Sequence, residues 1–223
     1  MFSQVELGRI GGIPIVLDMM FVLVLIVFSY PYFTSGDTQD MSAGLVIIAG
    51  ILASILLHEL GHAIAGRLFG TRVTHIALTG LGGVTQFERS LPKSAFARTV
   101  IYLAGPAANL LLWLGFDALS RQDVVIGRPM LDLAILVLAN VNLFLLIFNL
   151  LPAFPLDGGH TLNAWLGVAL KPSWPVKIVA GLGLAIAVLL AISAFPSNVW
   201  RLLLALFLFQ VNWTYWQQAG RWR

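Results

Sequence analysis

Not one cysteine occurs among the 223 residues. That excludes a disulfide framework and any thiolate metal site, and it leaves the redox compartment open. Charge is nearly as scarce: Asp, Glu, Lys and Arg together make up 10% of the chain, where a soluble domain carries about 25%. So few charges cannot dress a water-facing surface, and 59% of the residues are hydrophobic. A polytopic membrane protein is the class these proportions describe. The net charge of +3 and pI near 9.6 would suit a nucleic-acid partner only if the basic residues formed a patch. They are scattered over short loops instead, so no nucleic-acid partner is expected. The opening stretch MFSQVELGRIGGIPIVLDMM has neither a basic segment leading into an apolar core nor a small-residue cleavage site. It reads as mature protein entering a first span.

What is abundant is long apolar runs. Crossing ~30 Å of hydrocarbon takes roughly 20 apolar residues, and the sequence offers six such runs, at about 13–33, 42–68, 95–119, 131–151, 174–194 and 197–217. The last two are separated by a tight turn, Phe195-Pro196-Ser197-Asn198. With six spans, only Arg121, Arg128 and Arg201 of the 13 Lys and Arg residues fall on the outer side. The positive-inside rule then predicts both termini in the cytosol, with the acidic linker 35–40 outside. The expected architecture is an all-α membrane protein, a single domain over 1–223, with a re-entrant, hairpin-like loop after the second helix. That loop is expected at 70–90, where β-branched residues alternate around Gly80, Gly82 and Gly83. Non-helical backbone at membrane depth is tolerated only when buried in protein or lining a wet cavity. The same holds after Leu151, where Pro152, Pro155, Gly158 and Gly159 break the fourth run.

Within the second run stands HELGH, residues 58–62. Each ionisable side chain in such a segment costs roughly 2.5–3.5 kcal/mol to insert. His58 and His62 lie at i and i+4, so on a helix both imidazoles project from one face and can grip one Zn²⁺. Glu59, to the side of the metal, can take a proton from water without being a ligand. The short pattern also arises by chance, or as histidines bonded to neighbouring helices, but burial in a span makes that reading the weaker one. A catalytic zinc needs a third protein ligand and an open position. The acids that reach the interior are Asp18, Asp117 and Asp157, and the remaining histidines are His75 and His160. Asp157 is favoured because it follows the break in NLLPAFPLDGGH, though "DGG" alone is also an ordinary turn signal.

HELGH at 58–62 together with NLLPAFPLDGG at 149–159 resembles the site-2 protease family of intramembrane zinc metalloproteases. Gly11-Gly12-Ile13-Pro14, Gly82-Gly83-Val84 and Gly105-Pro106-Ala107-Ala108-Asn109 add to the likeness, which covers nearly the whole chain. The resemblance implies His58, His62 and Asp157 as ligands of one zinc ion per chain, and Glu59 as the catalytic glutamate. It implies that Asn149 holds the substrate backbone or the developing oxyanion. It also implies that the stretch around Gly80, Gly82 and Gly83 pairs with an unwound substrate. The implied activity is hydrolysis of peptide bonds within or near transmembrane segments of single-pass membrane proteins, in the lipid bilayer of the cell membrane, as part of regulated intramembrane proteolysis. Many relatives carry a PDZ domain or a CBS pair; neither is seen here, so a bare catalytic core is expected. Where relatives often have Arg after DGG, this chain has His160, read as a cytosolic surface residue in preference to a partner of the ligands. Asp18 stands where relatives often have His, and His75 is expected on the hairpin surface. A metal transporter and a catalytically inactive scaffold are the rival classes. The absence of repeat symmetry disfavours the first, and the intact glutamate disfavours the second.

Overall fold

The computed structural model describes residues 4–34, 38–80, 82–121, 129–194 and 198–219. Linker residues 35–37, the turn at 195–197, and Arg128, Arg221 and Arg223 lie outside the described residues. The chain divides into two compact units: residues 1–91 with 104–146, and residues 92–103 with 147–223.

The first unit begins with a departure from expectation. The apolar run 13–33 predicts a first membrane helix, yet residues 13–18 form a strand. β1 (Gln4–Ile10) and β2 (Ile13–Asp18) pair antiparallel around Gly11-Gly12. These two glycines have φ of 56° and 81°, the left-handed geometry that a two-residue hairpin turn demands and that glycine adopts without strain. Along β2, Ile13 and Ile15 are buried on alternate positions, the two-residue period of a half-buried strand. Asp18 then stops the strand and starts helix α1 (Met19–Thr34), its Oδ1 accepting from the Met20 amide at 2.8 Å as an N-cap does. α1 has 16 residues, about 24 Å at ~1.5 Å per residue.

Helix α2 (Thr38–Leu68) follows. β3 (Val73–Thr79) and β4 (Gly82–Phe87) come next and pair antiparallel, Thr79 opposite Gly82. β2 runs parallel to β3, Ile15 opposite Ile76, so the sheet order is β1-β2-β3-β4. The fold is mostly helical with a four-stranded sheet, rather than all-α. Ile13, Ile15, Ile76 and Leu78 from the sheet bury themselves with Phe21 and Ala63. Leu52, Ile55, Leu56 and Leu60 of α2 close over this cluster, so the sheet is fastened to the helix carrying HELGH. His75 lies on β3 opposite Gln86.

Helix α3 (Ala95–Ser120) contains Pro106, and α4 spans Pro129–Asn149. In the second unit, α5 (Asp157–Ala169), α6 (Ser173–Ala194) and α7 (Val199–Ala219) follow. There Phe154, Val176, Val179, Ala180 and Ala219 form one core cluster, and Ala153, Leu156, Ala187 and Leu208 another. Among the described residues, four helical stretches are long and apolar enough to cross a membrane: Gly44–Leu68, Ala95–Ser120, Leu131–Asn149 and Ser173–Ala194. These coincide with four of the six expected runs. α1 and α7 fall outside the set: the first is short, and the second carries Gln210, Asn212, Gln217 and Gln218.

Candidate metal centre

α2 is unbroken through HELGH, and its periodicity does what the spacing implied. The Nε2 atoms of His58 and His62 stand 3.1 Å apart. Two nitrogens bound tetrahedrally to one zinc at ~2.0–2.1 Å would be roughly 3.3 Å apart. His58, Glu59 and His62 are 6%, 4% and 7% exposed, and their ligand atoms all lie within 4.8 Å of one another. This cluster could hold one metal ion, and its neutral nitrogen and carboxylate donors suit zinc.

The space at the two nitrogens depends on α3. A Cβ at Gly105 would lie 2.4 Å from His62 Nε2 and 2.6 Å from His58 Nε2, so any side chain there would occupy the metal position. Gly61 on α2 lets the helices meet, since a Cβ would come 2.5 Å from the Ala104 carbonyl oxygen. Small residues at a helix crossing allow such backbone approach. The Gly105 of GPAAN is therefore a cradle residue.

Glu59 is held by the sheet. Thr85 Oγ1 on β4 lies 2.7 Å from Glu59 Oε2 and 2.9 Å from the Glu59 carbonyl oxygen, so its single proton is shared between two acceptors. Gly83 presses against the same side chain: a Cβ there would sit 2.3 Å from Glu59 Cγ and 2.5 Å from Oε1. Of the other two glycines singled out in this loop, Gly82 has φ +123° at the start of β4, and Gly80 abuts the Met20 side chain. Thr85 escaped sequence reasoning because a threonine in a strand is unremarkable until the strand's partner helix is known.

Behind the histidines runs a buried polar chain that the sequence did not announce. His58 Nδ1 bonds to Asn109 Oδ1. Asn109 Nδ2 donates to Asn142 Oδ1 at 2.9 Å, and Asn142 Nδ2 donates to Ser54 Oγ at 2.9 Å and to the Leu138 carbonyl at 2.8 Å. Ser54 Oγ donates to the Gly50 carbonyl at 2.8 Å. Asn109 and Asn142 are fully buried. Polar side chains in otherwise apolar helices were the available signal.

In the second unit, Asp157 is buried and is the first residue of α5, where a carboxylate is favoured by the helix dipole. Asn149 is the last residue of α4. The chain between them is non-helical, with a cis peptide at Phe154-Pro155. Its backbone is satisfied locally by Ala153 N to Leu151 O and Leu156 N to Ala153 O, both 2.9 Å. It is also gripped by Asn212 of α7. That amide accepts from Phe154 N at 3.0 Å, and donates to Phe154 O at 2.7 Å and to Leu208 O at 2.8 Å. Gly158 and Gly159 are needed because a Cβ on them would meet the Leu150 and Ala153 carbonyls at 2.2 and 2.4 Å. His160, expected at the surface, is half-buried; it stacks on Tyr102 at 4.9 Å and meets Phe154 edge-on at 5.2 Å.

Comparison with known proteins agrees with this geometry. Residues 46–122, which include HELGH and GPAAN, match the profile of Peptidase family M50. A zinc metalloprotease of Methanocaldococcus jannaschii is 31% identical over 209 residues, covering 92% of this chain and 58% of that protein. The protein named Rip3 of Mycobacterium tuberculosis is 36% identical over 177 residues, 74% of this chain and 44% of its own length. The chain thus spans about half the length of these relatives. The solved structure of the site-2 protease from M. jannaschii superimposes with a TM-score of 0.69 at 27% identity, covering 96% of this chain and 95% of that one. With a paired HELGH on an apolar helix, a glycine-cradled nitrogen pair and these likenesses, residues 46–122 carry a Peptidase family M50 (site-2 protease) domain, and the chain shares the fold of a solved site-2 protease.

Proposed function

We propose that this chain is an intramembrane zinc endopeptidase, one polytopic domain over residues 1–223. It hydrolyses peptide bonds within or near the transmembrane segments of single-pass membrane proteins, in regulated intramembrane proteolysis. The observation that carries the reading is the facing Nε2 pair of His58 and His62 with Glu59 buried beside it. Asp157 is the third ligand in this reading. Its burial at the start of α5 and its place in the family motif support the assignment.

Bound zinc would supply a Lewis acid that brings the pKa of water at the site down towards ~7. Glu59 accepts the proton from that water and returns it to the leaving amine. Thr85 keeps the carboxylate aimed while this happens. Asn149, a neutral amide, donates a hydrogen bond to the substrate carbonyl or oxyanion. A helical substrate has its amides satisfied internally, so its scissile segment must unwind first. The stretch holding Gly80, Gly82 and Gly83 is where the unwound segment pairs as a strand. Substrate residues that weaken a helix therefore favour cleavage.

The proposed topology has six spans with both termini in the cytosol of the cell membrane. Cysteines placed at Ser35 and Ser173 are expected to label from opposite sides, Ser35 from outside. The activity is tested with purified protein, a model transmembrane substrate and a chelator. Cleavage should stop with chelator and with Glu59→Gln, while the variant keeps about one zinc per chain. Cleavage that persists after complete removal of zinc would overturn the proposal.

A further inference from the structure

We infer that Asn109, Asn142 and Ser54 form a directional hydrogen-bond relay that sets the tautomer of His58, holding its Nε2 lone pair towards the metal position. The inference deepens the zinc-site reading and rests on it.

The direction follows from the end of the chain that has no choice. A backbone carbonyl only accepts, so the Asn142 atom 2.8 Å from the Leu138 oxygen must be the amide NH₂. The same NH₂ faces Ser54 Oγ, whose own proton is directed to the Gly50 carbonyl. Asn142 therefore presents its oxygen to Asn109. Asn109 must answer with its NH₂, which turns the Asn109 oxygen towards His58. An oxygen there requires a proton on His58 Nδ1. In a neutral imidazole that leaves Nε2 as the lone pair, and Nε2 is the atom facing His62 Nε2 at 3.1 Å.

Amide orientations and histidine tautomers are usually ambiguous. Here two carbonyls of regular helix decide them all. Reversing any member would place two acceptors or two donors face to face in a fully buried setting, where an unsatisfied polar group is costly. The relay also explains why polar residues are retained at three buried positions, Ser54, Asn109 and Asn142, on apolar helices. A purely structural bridge between helices would need no histidine at its end. Asn109, Asn142 and Ser54 are thus positioning residues: they act on the metal through His58.

Two measurements test this. With ¹⁵N-labelled histidine in the metal-free, detergent-solubilised protein, His58 should be the Nδ1–H tautomer in the wild type and a mixture in Asn109→Leu. By chelator competition, Asn109→Leu should bind zinc 10- to 100-fold more weakly, the usual effect of removing a ligand's outer partner. Asn109→Asp still accepts from Nδ1–H but faces Asn142 Oδ1 with a second acceptor, so it should restore the Nδ1–H tautomer and zinc affinity per folded molecule while lowering the melting temperature. An Nε2–H tautomer at His58 in the folded wild type would overturn the relay, and that measurement stands even if Asn109→Leu does not fold. So would Asn109→Leu that melts earlier but binds zinc with unchanged affinity per folded molecule. If instead His58→Ala and His62→Ala leave zinc binding untouched, the metal site itself has been misassigned, a distinct failure.

Discussion

The two units support their motif residues in opposite ways. In the first, HELGH rides an uninterrupted helix of 31 residues, because a metal gripped at i and i+4 needs the regular turn that brings both imidazoles to one face. In the second, Asn149 and Asp157 flank a stretch in which the helix has been broken, and an amide from a distant helix restrains the freed backbone. A buried asparagine is used in each. Asn109 ends on the His58 side chain, whereas Asn212 ends on the Phe154 main chain. The lesson is that a regular element needs help only to orient side chains, while an irregular one must first have its backbone satisfied.

That contrast can be broken by substitution. The largest effect is expected at Glu59. Glu59→Gln should lower turnover by about 10²–10⁴-fold, the range for a positioned proton acceptor, with zinc content unchanged. Loss of zinc in that variant would show that the glutamate is a ligand. Next comes Asn149→Ala. If its amide serves the oxyanion, turnover should fall ~10²–10³-fold with zinc content and melting temperature intact. If it only closes the end of α4, the melting temperature should drop and turnover per folded molecule should hold.

Thr85→Val is expected to be milder. A hydrogen bond to a charged group contributes about 1.5–3 kcal/mol, so turnover should fall roughly 10- to 100-fold with KM and zinc affinity unchanged. A rise in KM of that size with turnover unchanged would assign Thr85 to substrate binding rather than to aiming Glu59. The smallest change in turnover per folded molecule should come from Asn212→Leu. It leaves a buried N–H and a buried C=O without their side-chain partner, each costing about 1–3 kcal/mol. Melting temperature and amide protection around Phe154 should therefore fall. Unaltered protection there would show that the turn bonds of Ala153 and Leu156 suffice to hold the loop.

Legibility in the sequence followed the range of the interactions. HELGH was readable because its geometry is local: residues 58 and 62 share a helix face whatever surrounds them. The hairpin β3–β4 was visible in its alternation and glycines. Its N-terminal counterpart is harder to see, although Gly11-Gly12 between two strands is a two-residue hairpin signal. The apolar run continuing into α1 masked it, and only the strand pairing of Ile15 with Ile76 separates strand from helix there. The ring contacts of His160 are not legible in the sequence, because Tyr102 and Phe154 come from other parts of the chain.

By itself the sequence determined the membrane class, four stretches long and apolar enough to cross a bilayer, the paired imidazoles with their glutamate, and the breaks that prolines and glycines impose. These are matters of composition and of spacing along a single element. Only the tertiary structure decided that Gly105 empties the space in front of two nitrogens, and that Thr85 aims Glu59. It alone decided that Asn109 stands behind His58 and that Asn212 holds Phe154. Those contacts join residues 26 to 58 positions apart. No local propensity encodes such a meeting; it exists only once helices and sheet have packed and each buried polar group has had to find its partner.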